Sequence, residues 1–427
     1  MTFRIIAGIF LIAVALLVNP WVLERFVVLD GSISGKSRIV LVEAVIALAG
    51  VLLLVTGLRR RRRPAAPVRT RDRLFAGIAL SIAALLSVGF AEIVLRLFVD
   101  PSVVLEGERE SEYRWRARHA GPDAEIIEGQ YQYDRFHPVL GWVPAPGYRG
   151  EGIQTNAMGI RAAREYDFAR TPGVRRIVLV GDSYTWGEKT WKGPISNEET
   201  FSALLEERLP GVEAINLGVH GWGTDQQLLY LRELGLRFHP DLVVLGFFEA
   251  DISRNVVDFF GYSKPRFVLE DGELVLTNTP ILEGEALLAT PFELPSFYLG
   301  SLVRKGINTA LDRTKLRPIE GREEWRVTRA IFEAARRESE AAGAEFVLVD
   351  IPFHVRARPT PVEQTVARWA AETGTRFVSL REHFLTMPRE DWESVHDGHF
   401  TVRGHDETAR ALQAYIEREH LLPAPSP

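Results

Sequence analysis

Residues 176–187 read RIVLVGDSYTWG. An apolar run, Arg176–Val180, ends abruptly in Gly181-Asp182-Ser183. Continuous apolar residues closed by a glycine turn predict a buried strand that feeds a turn and then a helix. A hydroxyl at that point stands at the mouth of a sheet, beside a helix N-terminus. Two readings of Ser183 follow. It is a nucleophile, or Asp182 and Ser183 only cap a turn.

The chain around this stretch repeats the strand–helix rhythm. Glu198–Leu209 has apolar residues at helical spacing, and Val212–Leu217 reads as a second strand. A helix follows at Thr224–Leu236, then a third strand, Asp241–Phe248. Lys264–Pro280 reads as a hairpin around Asp271-Gly272. Beyond it lie a helix at Glu320–Ala342, a strand at Glu345–Ile351, a helix at Pro361–Thr373, a strand at Arg376–Leu380 and a last helix at about Val402–Glu419. Short buried strands alternating with helices predict a mostly parallel sheet covered on both faces. Domain organisation is expected as a catalytic domain over 173–422 and a strand-and-loop prelude over 101–172, rich in Tyr, Trp, Gly and Pro. A tail at 423–427 closes the chain.

The first hundred residues differ. Ile5–Leu23, Ile39–Leu58 and Leu74–Phe98 are apolar runs of roughly the 20 residues that a membrane crossing needs. They predict three transmembrane helices, with buried core helices as the alternative for any one run. Eight arginines lie between Arg59 and Arg73. Cationic short loops stay cytoplasmic, so this loop sets the N-terminus inside, Val22–Arg38 outside, and everything after about Asp100 outside. The expected location is therefore a multi-pass protein of the cell membrane with an extracytoplasmic catalytic domain. A cleaved signal peptide is the alternative for the first run, but LLVNPWVLE lacks a small-x-small cleavage site. Glu43, within the second run, reads as a snorkelling or helix–helix contact residue.

Composition narrows the chemistry. The net charge of −5 gives no basic footprint for nucleic acid. The absence of cysteine excludes disulfides, thiolate metal sites and a cysteine nucleophile, and leaves the compartment open. Of partners, this leaves the lipid bilayer and no nucleic acid, with the ester-bearing small molecule or glycan expected only from the family resemblance given below; the sequence sets no oligomeric state.

A serine nucleophile needs a base, and the base needs a carboxylate. SVHDGHFTVRGH (Ser394–His405) supplies Asp397 and His399 two residues apart, a spacing that projects both to one side of an extended segment. Metal binding by His396, Asp397, His399 and His405 is the competing reading, without a second ligand group elsewhere. In NLGVHGWGTDQQ (Asn216–Gln227), Gly218 is placed to offer an N–H to an oxyanion. His220 either lines the pocket or fills the loop. GFFEADISRN (Gly246–Asn255) follows the third strand and should also lie at the rim. Phe247 and Phe248 read as sheet core, and Trp186 and Trp222 as packing residues or the wall of a sugar or acyl pocket.

Gly181-Asp182-Ser183, Gly218 and Asp397-Gly398-His399, in this order, resemble the SGNH/GDSL hydrolase superfamily. The similarity covers roughly 130–420 and is strongest over 139–227. It implies a flavodoxin-like three-layer α/β/α sandwich and ester chemistry without metal or other cofactor. Ser183 is then the nucleophile, His399 the general base, and Asp397 the group that orients the imidazolium. The N–H groups of Ser183 and Gly218 would line the oxyanion hole, with Asp182 and His220 in support. One departure stands out. The family places an oxyanion-donating Asn after the third strand, where this chain has Ala250; Asn255, farther on, is the candidate substitute.

These features point to a membrane-anchored serine esterase acting on O-acyl esters, with envelope or extracellular glycans as the natural substrate class. An O-acyltransferase of the same fold is one alternative. A non-catalytic glycan-binding or assembly subunit that has lost the oxyanion Asn is the other.

Overall fold

Alternate residues of each buried strand must point to opposite faces, so a strand that is apolar throughout needs a cover on both sides. That is what the chain builds. A computed structural model describes residues 2–17, 19, 36–61, 70–121, 124–313 and 319–423. It divides into two units, Met1–Arg114 with Pro291–Arg317, and Trp115–Thr290 with Pro318–Pro427.

The second unit holds β1 (Arg175–Gly181), β2 (Val212–Gly218), β3 (Leu242–Phe248), β4 (Glu345–Ile351) and β5 (Arg376–Ser379). All neighbours are parallel, in the order β5-β4-β3-β1-β2. This 2-1-3-4-5 order is that of flavodoxin-like doubly wound sheets. Val178, Val180, Val243 and Leu245 face one core, with Leu228, Leu231, Ile331, Phe332 and Trp369 from three helices. Ile177, Leu179, Leu242 and Val244 face the other, with Leu205, Leu412 and Ile416. Each such side chain contributes roughly 1.5–3 kcal/mol on burial, so these two layers dominate the stability of the unit. Because β1, β2 and β3 run parallel, their carboxyl ends, and the loops that follow them, lie along one rim of the sheet. The expected hairpin forms as Arg266–Glu270 against Glu273–Thr277, with Asp271 and Gly272 both at positive φ, as a type I′ turn requires.

Residues 101–172 differ from the expected strands and loops. They include a helix, Gly107–His119, ahead of a short hairpin, Asp134–His137 with Gly141–Pro144. Its charges hid it from an apolar-period reading. Yet Glu108 and Glu110 lie in the first turn and Arg116, Arg118 and His119 in the last, which suits the helix dipole.

In the first unit, helices Thr2–Leu17, Lys36–Arg61 and Thr70–Phe98 occupy the three apolar runs. Among the described residues one of them, over Gly77–Phe98, is long and apolar enough to cross a membrane. The other two expected crossings do not meet that measure there, and the end of the first run, the 22–35 loop, much of the arginine loop and residues 424–427 lie outside the described residues. Glu43 accepts a hydrogen bond from Asn19 Nδ2 at 2.8 Å. A further helix, Tyr298–Arg313, was not foreseen; Glu92 caps it by accepting from the N–H groups of Tyr298 and Leu299.

Candidate active site

Asp182, not Ser183, caps the turn. Its Oδ1 accepts from Tyr184 N at 3.0 Å, and Ser183 is the first residue of the short helix Ser183–Trp186. The hydroxyl of Ser183 is therefore released from capping. Gly218, paired in register with Gly181, lets this helix press onto the sheet: a Cβ at 218 would lie 2.3 Å from Trp186 N. Ser183 is buried, and its Oγ lies 2.9 Å from His399 Nε2, across 216 residues of sequence.

His399 arrives on a tight hairpin, His396–Asp397 with His399–Phe400, that turns at Gly398 (φ 78°). The turn brings the two residues together as a cross-strand pair, not along one extended segment. Residues i and i+2 share a side only in an extended segment. Here Asp397 and His399 sit opposite one another in the hairpin register, and no hydrogen bond joins them among the described residues. Asp397 Oδ2 is buried without a hydrogen-bond partner among those residues. Burial lowers the His399 pKa, while the carboxylates of Asp182 and Glu188 pull it back up and the Arg254 charge lowers it further; the Lys189 carbonyl beside the ring also raises it. Half-buried and with its pKa lowered, the imidazole is neutral at neutral pH. A neutral imidazole at hydrogen-bond distance can take the serine proton during attack on an ester carbonyl and return it to the leaving alcohol.

The histidines weighed as metal ligands are drawn to separate partners. His396 Nε2 meets the Tyr184 hydroxyl at 2.7 Å, His399 meets Ser183, and His405 Nδ1 accepts from Phe201 N.

Behind the serine lies a charged cluster that the sequence reading missed. Arg254 Nη1 donates to Asp182 Oδ2 (3.2 Å), Asp251 Oδ1 (2.8 Å) and the Trp222 carbonyl (3.0 Å). Burial pushes both carboxyl pKa values up and Arg254 draws them down, while Asp182 adds to the rise at Asp251. Arg161 was missed as well. Fully buried, it donates to the Trp186 (2.9 Å) and Gly187 (2.6 Å) carbonyls, to that of Ile195, and to Asn197 Oδ1 (3.2 Å). It thus clamps the end of the serine helix. Its signal in the sequence was a lone arginine among small and apolar residues, in GIRAA.

The expected oxyanion donors fare differently. Ser183 N–H, at the first helical position, has no intrahelical acceptor. Gly218 N–H is spent on Asn216 Oδ1 at 2.9 Å. Asn255 is corrected: it is fully buried, its Nδ2 donates to Thr224 Oγ1 (2.6 Å) and Thr328 Oγ1 (2.8 Å), and its Oδ1 accepts from Asp225 N. Both amide protons are committed to packing, so it has none for substrate. Ala250 immediately precedes the helix Asp251–Arg254 and brings no donor.

His220 does not face Ser183. Its Nε2 pairs with the Asp134 carboxylate at 2.9 Å, and its ring stands edge-on to Tyr131, Tyr133 and Trp186. Phe247 and Phe248 are buried in the two cores, and Trp222 is fully buried.

No family model and no curated protein matches the chain. Among solved structures it is similar to a lipolytic protein of the G-D-S-L family from Desulfitobacterium hafniense DCB-2, at 12% identity over 56% of this chain and 98% of that one, TM-score 0.31. It is also similar to the acetylxylan esterase Axe2 from Geobacillus stearothermophilus (16%, 58% and 96%, TM-score 0.33). A third is the lipase/acylhydrolase from Enterococcus faecalis (16%, 60% and 100%, TM-score 0.31). These neighbours are SGNH/GDSL hydrolases, the family that the motifs resemble. At such TM-scores the likeness carries no functional argument, which rests on the geometry above.

Proposed function

We propose that the chain is a serine esterase that hydrolyses O-acyl esters, with Ser183 as nucleophile and His399 as general base. The observation that carries this reading is the 2.9 Å contact between Ser183 Oγ and His399 Nε2 at the carboxyl end of a parallel sheet, where open α/β sheets bind ligands. Asp397, with its buried Oδ2, is the group assigned to steady the imidazolium, alongside the carboxylates of Asp182 and Glu188. The reading includes a three-helix membrane anchor with the catalytic unit on the outer side, supported by the apolar helix over Gly77–Phe98 and the arginine-rich loop before it. O-acylated envelope or extracellular glycans are the proposed substrates.

An activity-based fluorophosphonate tests the chemistry. It should label the wild-type chain and not Ser183→Ala; absence of serine-dependent labelling overturns the esterase. A reporter fused after Pro427 should be active only outside the cytoplasm. The second reading, a non-catalytic binding subunit, is favoured by one observation, the commitment of the Gly218 N–H and of Asn255 to internal bonds. Labelling decides between the two.

A further inference from the structure

The helix Tyr298–Arg313 has two faces. Tyr298, Leu302 and Lys305 recur at helical spacing on the inner one. Tyr298 and Leu302 pack with Leu95, Val99 and Val104, and Lys305 Nζ donates to the Val103 (3.2 Å) and Leu105 (2.8 Å) carbonyls. The other face is apolar and open. Val303 is 54% exposed and Ile307 56%. Phe297, also exposed, extends this stripe: a Cβ on Gly300 would lie 2.5 Å from its ring, so the ring covers the helix one turn before Val303. Leu294, just ahead, is exposed as well. Large apolar side chains gathered on one open face mark an interaction surface.

What covers it follows from where the helix is tied. Glu92 and Arg96 lie inside the apolar stretch Gly77–Phe98, and both spend their charge on the segment that starts this helix. The Glu92 carboxylate accepts from the N–H groups of Tyr298 and Leu299, each at 2.9 Å. Arg96 donates to Glu92 (2.8 Å) and to the carbonyls of Ser296 (2.7 Å) and Pro295 (3.2 Å). Ionisable groups within a membrane helix are held by such partners. With about 1.5 Å of rise per residue, Glu92 lies about 9 Å short of the end of the span at Phe98. The backbone bonded to it lies at the same depth, and amphipathic helices rest about 5–10 Å into the boundary between headgroups and acyl chains. The same turns of the span expose Ile93, Leu97 and Phe98, so the helix starts beside an apolar surface of the same kind. From this we infer that Leu294, Phe297, Val303 and Ile307 are a second membrane attachment, lying in the bilayer interface at the end of the span. The inference rests on the reading of Gly77–Phe98 as a membrane crossing. Arg304, exposed at the edge of the stripe and 3.6 Å from Glu106, has the length to reach headgroup phosphates. The chain leaves the catalytic unit after Thr290 and re-enters it at Pro318. The attachment therefore fastens to the bilayer a stretch that the catalytic unit itself sends out, far in sequence from the span.

The test is depth in the bilayer. The chain has no cysteine, so each introduced thiol is unique. Full-length Val303→Cys, Ile307→Cys, Leu85→Cys and Glu372→Cys variants are labelled with the fluorophore NBD and reconstituted into vesicles of equal parts phosphatidylcholine and phosphatidylglycerol. All four positions are exposed, so the substitutions leave the packed faces intact. The vesicles carry lipid with a nitroxide either near the glycerol or near the end of the acyl chain. Positions 303 and 307 should lose fluorescence mainly to the shallow nitroxide, Leu85 mainly to the deep one, and Glu372 to neither. Loss at Leu85 without loss at 303 and 307 overturns this inference and leaves the span standing. No loss at any of the three overturns the membrane crossing and the inference with it. Equal loss at Glu372, or a profile at 303 and 307 as deep as that of Leu85, also overturns the interfacial placement. So does cross-linking of Val303→Cys between two copies without quenching by lipid, which gives the stripe to a second copy of the chain.

Discussion

On the proposed esterase reading, Ala250→Asn should raise the rate of ester hydrolysis. In the structure the candidate oxyanion hole retains one uncommitted donor from the expected set, the Ser183 N–H. Gly218 N–H is held by Asn216, and Asn255 gives both amide protons to threonines. Residue 250 follows β3 at the rim and packs against the cluster that contains Tyr184, the neighbour of Ser183. Its backbone, φ −71° and ψ −19°, is helical and accepts Asn without strain. The same angles disfavour the competing outcome, in which Asn caps the helix Asp251–Arg254, because capping needs an extended backbone at that residue. One restored side-chain donor corresponds to about 10²–10³ in kcat, about 2.7–4 kcal/mol of transition-state stabilisation. A helix cap alone would show as about 1 kcal/mol of stability. Steady-state hydrolysis of an aryl acetate and a thermal melt separate the two. An unchanged kcat in a folded Ala250→Asn variant, whether or not its Tm rises, would refute the assignment of this position to the oxyanion hole.

Three further outcomes are expected. Arg161→Lys keeps the charge but loses the planar fork that reaches three carbonyls at once, so kcat should fall at near-constant KM and urea unfolding should report a loss of about 3 kcal/mol or more. Gly218→Ala drives a methyl group into the Trp186 backbone, which cannot yield as a flexible side chain would; a destabilisation of about 3 kcal/mol in the same assay is expected, and an unchanged midpoint would mean the close approach is wrong. The pH dependence has a worked sign. Burial holds the His399 pKa below the ordinary ~6.5, so the neutral base persists into mildly acidic solution, and the acid limb of kcat/KM should lie below pH ~6.5. His396 and His405 are held down too, to about 4 and about 3, by burial first. The unfolded chain binds these protons first, so stability is full above pH ~6.5 and is lost as pH falls toward the folded values; the unfolding midpoint should drop between about pH 7 and pH 5.

Much of this was legible in order along the chain. The strands of the sheet announced themselves as short apolar runs, because a strand covered on both faces has no polar side to show. The helix Pro361–Thr373 matches the expected bounds, with Thr360 and Glu363 forming a capping box before it. Helices Gly107–His119 and Tyr298–Arg313 were not legible, since one is dominated by charge and the other sits between loops. Within the site, Gly181-Asp182-Ser183 and His399 were readable as motifs. Arg254 and Arg161 were not, because an arginine's role depends on what surrounds it, and these two are surrounded by carboxylates and carbonyls contributed from elsewhere in the chain.

The sequence alone determined the apolar run of each strand, the position of Ser183 at the end of β1, and the presence of a late Asp-Gly-His. Local pattern is enough for these, since they depend on neighbouring residues. Only the tertiary structure decided that Ser183 is free while Asp182 does the capping, and that the Gly398 turn makes Asp397 and His399 a cross-strand pair. It also decided that Asn255 is used up by Thr328, 73 residues away. A hydrogen-bond donor can be spent only a limited number of times, and who spends it is settled by contacts between residues far apart in the chain.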